Sequence, residues 1–344
     1  MRRRVVFTAL AVLVFGAVPA AAPRLEEIAR TTFRWTGVAV SAQGRIFVNF
    51  PRWAEIPCSV AEVAGGEVTP YPDAAWNLWK QGSAVDGRFV CVQSVHVDGL
   101  DRLWVLDAGA SLQDGVIAGA PKLVCIDLKT NAVARVYRFG PEVVSGMGYL
   151  NDVRVDTRLN FAYMTESGLG ALVVLDLKSG AARRRLDGRP STRAEDIELQ
   201  IDGRAVKFPV HADGIALSGD GGYLYFKALS GRALYRVPCA ALRDFALDDD
   251  RLEAGVELVA QTLPSDGMEF DRAGNLCLTA IEKNAVYRLA PDKRLEPLVV
   301  DDRLAWPDSL ALGPGGRLFI TTSGILHPQG TRYLFVLKGT ADGV

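Results

Sequence analysis

The sequence predicts an all-β fold, a six-bladed β-propeller of four-stranded blades, and three observations carry that prediction. A strand–turn–strand pattern recurs six times along the 344 residues, and each copy is followed by a second hairpin-like stretch. The sixth copy is one strand short, and the segment around Leu25 to Thr32 can supply it and close the ring, leaving no exposed strand edge. Composition agrees. With 49% hydrophobic and 23% charged residues the chain is ordinary globular material, neither a disordered tail nor a coiled coil.

The elements follow in order. Arg2, Arg3 and Arg4 precede an apolar run from Val5 to Val18, which gives way to Pro19-Ala20-Ala21-Ala22. A basic start, a short apolar stretch and small residues at a cleavage point predict a secretory signal peptide over residues 1–22. The run is shorter than the roughly 20 residues a membrane-crossing helix needs, which disfavours the alternative of an N-terminal anchor. The expected product is a secreted or periplasmic chain, exported by the general or the twin-arginine route, with residues 23–344 forming a single propeller domain. Losing three arginines leaves 36 basic against 40 acidic residues, a net charge of −4. A mildly acidic chain lacks the basic face that nucleic-acid binding requires.

The six copies pair Val38-Ala39-Val40 with Ile46-Phe47-Val48, Val95-His96-Val97 with Leu103-Trp104-Val105, and Val153-Arg154-Val155 with Phe161-Ala162-Tyr163-Met164. They continue with Ile215-Ala216-Leu217 and Tyr223-Leu224-Tyr225-Phe226, Met268-Glu269-Phe270 and Leu276-Cys277-Leu278, and Leu310-Ala311-Leu312 and Leu318-Phe319-Ile320. Their first positions are 57, 58, 62, 53 and 42 residues apart. The stretches from Leu123, Leu172 and Ala285 alternate and then turn through Lys129-Thr130-Asn131, Lys178-Ser179-Gly180 and Pro291-Asp292-Lys293, as hairpins do. Tyr333 to Leu337 is the third strand of the last blade.

Two residues before each aligned position stand Thr36, Gln93, Asn151, Asp213, Asp266 and Asp308. All six are polar, and they fall where inner strands enter the channel, so their oxygens suit a hard cation or hydrogen bonds to a polar ligand. Turn chemistry is the competing explanation, because Asp and Asn before Gly bond the backbone two residues on. Mid-strand, three copies carry Ala39, Ala216 and Ala311, and three carry His96, Arg154 and Glu269. Glu269 or His96 facing the channel can move a proton; an internal Arg154–Glu269 pair is the simpler reading. His211 falls just before Asp213 and is expected on the same face.

The rest reads as scaffold. Cys58, Cys91, Cys125, Cys239 and Cys277 form no CxxC pair, and Cys125 and Cys277 fall inside apolar strands as small hydrophobes. Arg183-Arg184-Arg185 reads as a solvated outer strand, Ala240 to Asp244 as a helical turn, and Asp248-Asp249-Asp250 as an acidic loop. Three histidines in the chain leave no histidine-rich zinc centre.

Six stretches stand out: Phe50-Pro51-Arg52-Trp53, Gln93-Ser94-Val95-His96-Val97-Asp98 running into Leu103 to Gly109, Pro121-Lys122-Leu123-Val124, Tyr163 to Gly168, Leu224 to Gly231, and Trp306-Pro307-Asp308-Ser309-Leu310. Together they resemble the major royal jelly protein/Yellow family in its bacterial form. Insect members place cysteines where this chain has Leu100 and Ala120, so that family disulfide is missing here. The resemblance implies export and a central ligand pocket, which in some members holds small amines or sterols. More distantly the chain is similar to gluconolactonase/regucalcin propellers, which are metal-dependent lactone hydrolases. By blade order their metal-binding Asp falls on Asp266, their metal-binding Asn on Asp213 and their substrate Asn on Asn151, while their Glu falls on Thr36.

Three functions follow as expectations. In the first, a small polar or aromatic ligand binds at the channel mouth through Thr36, Gln93, Asn151, Asp213, Asp266 and Asp308, with His211 and Glu269 nearby. In the second, a lactone or ester hydrolase holds calcium or another divalent cation on Asp213, Asp266 and Asp308, with Asp266 or Glu269 activating water. In the third, the propeller is a protein-interaction scaffold whose contact surface is the aromatic segment Trp76 to Trp79.

Overall fold

The computed structural model describes residues 23–111, 115–327 and 329–338. The expected signal peptide lies outside them. Six four-stranded antiparallel sheets stand in a ring, each running from an inner to an outer strand. Blade 1 comprises Val38–Val40, Ile46–Asn49, Val60–Ala64 and Glu67–Pro70, and blade 2 Val92–Val97, Arg102–Asp107, Lys122–Asp127 and Ala132–Arg138. Blade 3 is Leu150–Asp156, Phe161–Glu166, Ala171–Asp176 and Ala182–Arg185; blade 4 is Ala212–Leu217, Tyr223–Ala228, Ala233–Pro238 and Glu257–Gln261. Blade 5 runs through Met268–Phe270, Leu276–Ala280, Ala285–Leu289 and Leu295–Val300. Blade 6 takes Pro307–Leu312, Leu318–Thr322 and Arg332–Lys338 from the end of the chain and Arg24–Thr31 from its beginning, paired from Arg24↔Lys338 to Thr31↔Arg332. The ring closes as the strand count requires.

Burial follows position within a blade. Second and third strands are sandwiched between neighbouring blades and are apolar along their length, as in Leu172 to Leu175, where every residue is fully buried. Outer strands have one wet face and alternate, as in Ala132–Arg138. The core is accordingly a series of layers between blades. One joins Trp104, Leu106 and Cys125 of blade 2 to Val153, Met164 and Val173 of blade 3. Another joins Trp35, Val38 and Val48 to Phe319, Leu334 and Val336 across the closure.

Polar straps tie adjacent inner strands together. Thr36 Oγ1 donates to Gln93 O and Asn49 Nδ2 to Val92 O, both from blade 1 to blade 2, and Thr165 Oγ1 of blade 3 donates to Asp213 O of blade 4. The backbone N–H of Gly267 donates to Asp308 O at 2.7 Å, linking blade 5 to blade 6. These approaches require glycine. A Cβ on Gly37, Gly214 or Gly267 would lie 2.3 Å from Asn49 Oδ1, 2.4 Å from Asp266 O or 2.5 Å from Asp308 O, and none of the three has a left-handed φ. The glycines of the Asp-Gly pairs at 213 and 266 are therefore dictated by contact between blades.

Three peripheral readings need correction. Arg184 is not solvated: its guanidinium lies between Glu166 Oε2 at 3.0 Å and Asp187 Oδ1 at 2.6 Å, and Arg185 is only 5% exposed. Asp248 caps a helix, Asp249–Ala254, by accepting from Arg251 N–H, so the acidic triplet opens a helix where a loop was expected. Trp79 is buried, and Trp76 packs on Phe89 with ring centroids 4.9 Å apart, which removes the aromatic contact surface assumed for a scaffold. The helical turn near Ala240 is present as Cys239–Arg243. All five cysteines are free and buried, and burial raises their thiol pKa values, Cys91 to about 11.

Candidate functional site

The channel has two unlike ends. Where the inner strands begin, a cavity of about 540 Å³ opens; its floor includes Gln93, Asn151, Asp213, Asp266 and Asp308. Five of the six ring residues therefore share one space. Thr36 does not line it, because its hydroxyl is committed to Gln93 O and to Asn49 Nδ2. His211 is also outside the lining; its Nδ1 accepts from Ala194 N–H at 2.9 Å, and burial lowers its pKa and keeps the ring neutral.

Four of the five ring side chains in the cavity are aimed by β-bulges; Asp266 precedes its strand. Register shifts occur between Val92 and Ser94, Leu150 and Val153, Ala212 and Ile215, and Pro307 and Leu310, so Gln93, Asn151, Asp213 and Asp308 each sit where the ladder slips. A bulge turns a side chain out of the regular alternation. It also splits neighbours: Asn151 faces this cavity, while Asp152 faces the one at the other end.

The carboxyls are crowded and dry. Asn151 Nδ2 donates to Asp213 Oδ2 at 2.7 Å, and the Trp306 indole N–H donates to Asp266 Oδ2 at 2.7 Å. Asp308 accepts at Oδ1 from the Ser309 hydroxyl at 3.3 Å, while its buried Oδ2 has no partner. Desolvation first, and then a neighbouring carboxylate (Asp308 for Asp213, Asp213 for Asp266, Asp266 for Asp308), raises all three pKa values well above the ordinary 3.8.

The walls are mainly apolar and aromatic, with one cation, Arg34, whose Nη2 donates to Ile325 O at 3.2 Å, and polar-ring reasoning alone did not find them. Trp306 and Phe208 stack at 6.2 Å and 22° on one side. Trp306 holds φ at 52°, a costly value for a bulky residue, with its indole fixed on Asp266. Opposite, Trp53 donates its indole N–H to Tyr149 Oη at 2.8 Å, and Tyr149 donates in turn to Gln93 Oε1 at 3.0 Å. Phe208 is delivered by an insertion carrying the hairpin Leu199–Ile201/Arg204–Val206, and Ser230 Oγ donates to its carbonyl. In the sequence, Trp53 and Trp306 stood within the family-like stretches; nothing marked Phe208.

Glu269 is at the other end. It lines a cavity of about 200 Å³ with His96, Asp152 and Arg154, where the inner strands finish. Asp266 and Glu269 thus open on different spaces and cannot act on one substrate as a pair. Nor do the acidic residues form a cation site: among the described residues no three His, Cys, Asp or Glu side chains converge to hold a metal. Asp213 and Asp266 spend oxygens on Asn151 and Trp306, and the Thr36 hydroxyl is committed to Gln93 O. The residues do not fit a lactonase-type metal centre.

Comparison with known proteins agrees with this architecture. The model of the major royal jelly protein family matches residues 90–325. Major royal jelly protein 5 of Apis mellifera is 27% identical over 208 residues, covering 57% of this chain and 34% of that one. Major royal jelly protein 2 of the same organism is 26% identical over 57% of this chain and 45% of its own. The chain thus spans a third to a half of these curated relatives. Among solved structures, a luciferin-regenerating enzyme superposes with a TM-score of 0.62 at 13% identity, covering 94% of this chain and 98% of that one. A gluconolactonase of Xanthomonas campestris does so with 0.59 at 18%, covering 92% and 90%. At such identities the likeness concerns the fold alone. The match over most of the sequence, together with the six blades, establishes that the chain belongs to the major royal jelly protein family.

Proposed function

We propose that this protein is an exported binding protein that takes a small amphipathic ligand, an aromatic body with a cationic or hydrogen-bonding head, into the entrance cavity. The observation that carries the reading is the pairing of a carboxyl floor with aromatic walls in one space. A neutral ligand would leave Asp308 Oδ2 unpaired and the three carboxyls repelling one another, whereas an ammonium group relieves both. The ring of the ligand lies along Trp306 and Phe208, with Trp53 and Tyr149 opposite. The apolar-lined volume suits a single-ring compound.

The test is thermal melting and calorimetric titration with tyramine, compared with 4-ethylphenol, which lacks the amine. Tyramine is expected to raise Tm, in line with preferential binding to the native state. It should lose about tenfold or more in affinity in Asp266→Asn, as removal of one partner of a buried charge pair does. Equal binding of both compounds, or an unchanged Asp266→Asn, would sink the reading. Export is tested separately: N-terminal sequencing of protein from the periplasm or medium should begin near Pro23.

A further inference from the structure

The opposite end of the channel holds a group the first site leaves unexplained. Arg154 is 6% exposed, a charge almost wholly removed from water. Its Nη1 donates to Asp152 Oδ1 at 3.1 Å and Val153 O at 2.8 Å, and its Nη2 donates to Met268 O at 2.8 Å. Of the five guanidinium donors, Nε–H and one Nη2 hydrogen remain, and Nε is buried without a partner. Glu269 Oε2 is 3.6 Å from Nε, a Coulombic neighbour beyond hydrogen-bond reach. Its other oxygen accepts from Phe270 N–H at 3.0 Å. The Nε–Nη2 edge of an arginine is the one that receives a carboxylate side-on.

We propose that this exit cavity is a second ligand site, for a small zwitterionic α-amino acid whose carboxylate docks on the Arg154 edge and whose ammonium docks on Glu269. Charge decides the class. Asp152 already balances Arg154, so an anion alone would face Glu269 uncompensated, and a cation alone would leave the Nε donor empty. A molecule carrying both charges on neighbouring atoms answers both groups. The third polar wall, His96, has its pKa lowered to about 3 by burial and by Arg154, and so adds no positive charge against the ammonium. Val40 and Leu312 at the rim give an apolar side chain somewhere to lie. The cavity, at about 200 Å³, admits a single small amino acid and no peptide.

The experiment is NMR titration of the full mature protein with alanine and valine, following the His96 imidazole resonances, with calorimetry for affinity. Either amino acid should shift His96, and acetate or methylamine alone should bind about tenfold or more weakly. Glu269→Gln should weaken amino-acid binding about tenfold or more, while Asp266→Asn, at the other cavity, leaves it unchanged. If acetate alone matches alanine, the site is a plain anion site and the proposal is wrong. It is equally overturned if His96 stays unmoved at tens of millimolar amino acid, or if Glu269→Gln binds as the wild type does. Tyramine binding is decided by Asp266 variants and is independent of these outcomes.

Discussion

The two ends of the channel are built from the same six strands and reach opposite solutions to buried charge. At the entrance, three carboxyls crowd one aromatic-walled cavity whose lining holds a single arginine, Arg34, and the strain shows in pKa values pushed up and an oxygen left unpaired. At the exit, Arg154 and Asp152 are paired, and the surplus is one unspent donor edge facing Glu269. The difference lies in blade geometry. At the entrance, Gly37, Gly214 and Gly267 sit where neighbouring blades touch and only glycine fits; at the exit the turns are uneven, with open space around Gly219 but Phe319 2.6 Å from a Cβ on Gly313. Constraint between blades is thus concentrated at the entrance, while the exit is tolerant only at particular turns.

The sharpest way to break that contrast is Gly214→Ala. The added methyl would meet Asp266 O, a backbone atom that cannot swing aside, and a loss of about 3 kcal/mol or more is expected in denaturant unfolding. Next in size is Asp308→Asn, expected to stabilise the protein at neutral pH by about 1–3 kcal/mol by removing an unpaired buried charge. Asp308 has a folded pKa above its unfolded value. Its contribution is therefore fully present below the ordinary 3.8 and is lost as pH rises through the folded value. The variant should flatten the fall of Tm with rising pH; an unchanged slope would place the proton elsewhere. Trp53→Phe deletes the bond to Tyr149 and should cost about 1 kcal/mol, with weaker tyramine binding. Gly219→Ala, at an exit-side turn with open space around its Cβ position and no left-handed φ, should stay within about 0.5 kcal/mol of wild type. A large effect there would end the claim of tolerance.

Much of the architecture was legible because a propeller repeats its errors and its signals alike. Six copies of one alternation located every inner and second strand, and the shortfall at Tyr333 to Leu337 located the closing strand near Leu25. The ring of Gln93, Asn151, Asp213, Asp266 and Asp308 was found by register alone, since a residue two places before the first aligned strand position lies at the same height in every blade. What failed was whatever depends on the partner strand. A bulge is a mismatch between two strands and leaves no mark in either, so the separation of Asn151 from Asp152 was not visible. Thr36 matched the ring by position but is consumed by a strap to blade 2. Arg184 and Trp79 look exposed in a one-dimensional pattern, but Arg184 is half-buried against Glu166 and Trp79 is buried with Val90 and Ala120, contacts that neither segment's own pattern shows.

The closure of blade 6 has a consequence for how the molecule comes into being. Its outer strand is made some 300 residues before its neighbour, so the whole intervening stretch must be delivered before the two can meet. Once Arg332–Lys338 is made it presents an unpaired edge until Arg24–Thr31 docks, and contacts of such long sequence separation form slowly. Folding is therefore gated by an encounter between the two ends. The dangerous interval for this protein is the short one when five blades are finished and the sixth is still waiting for its fourth strand.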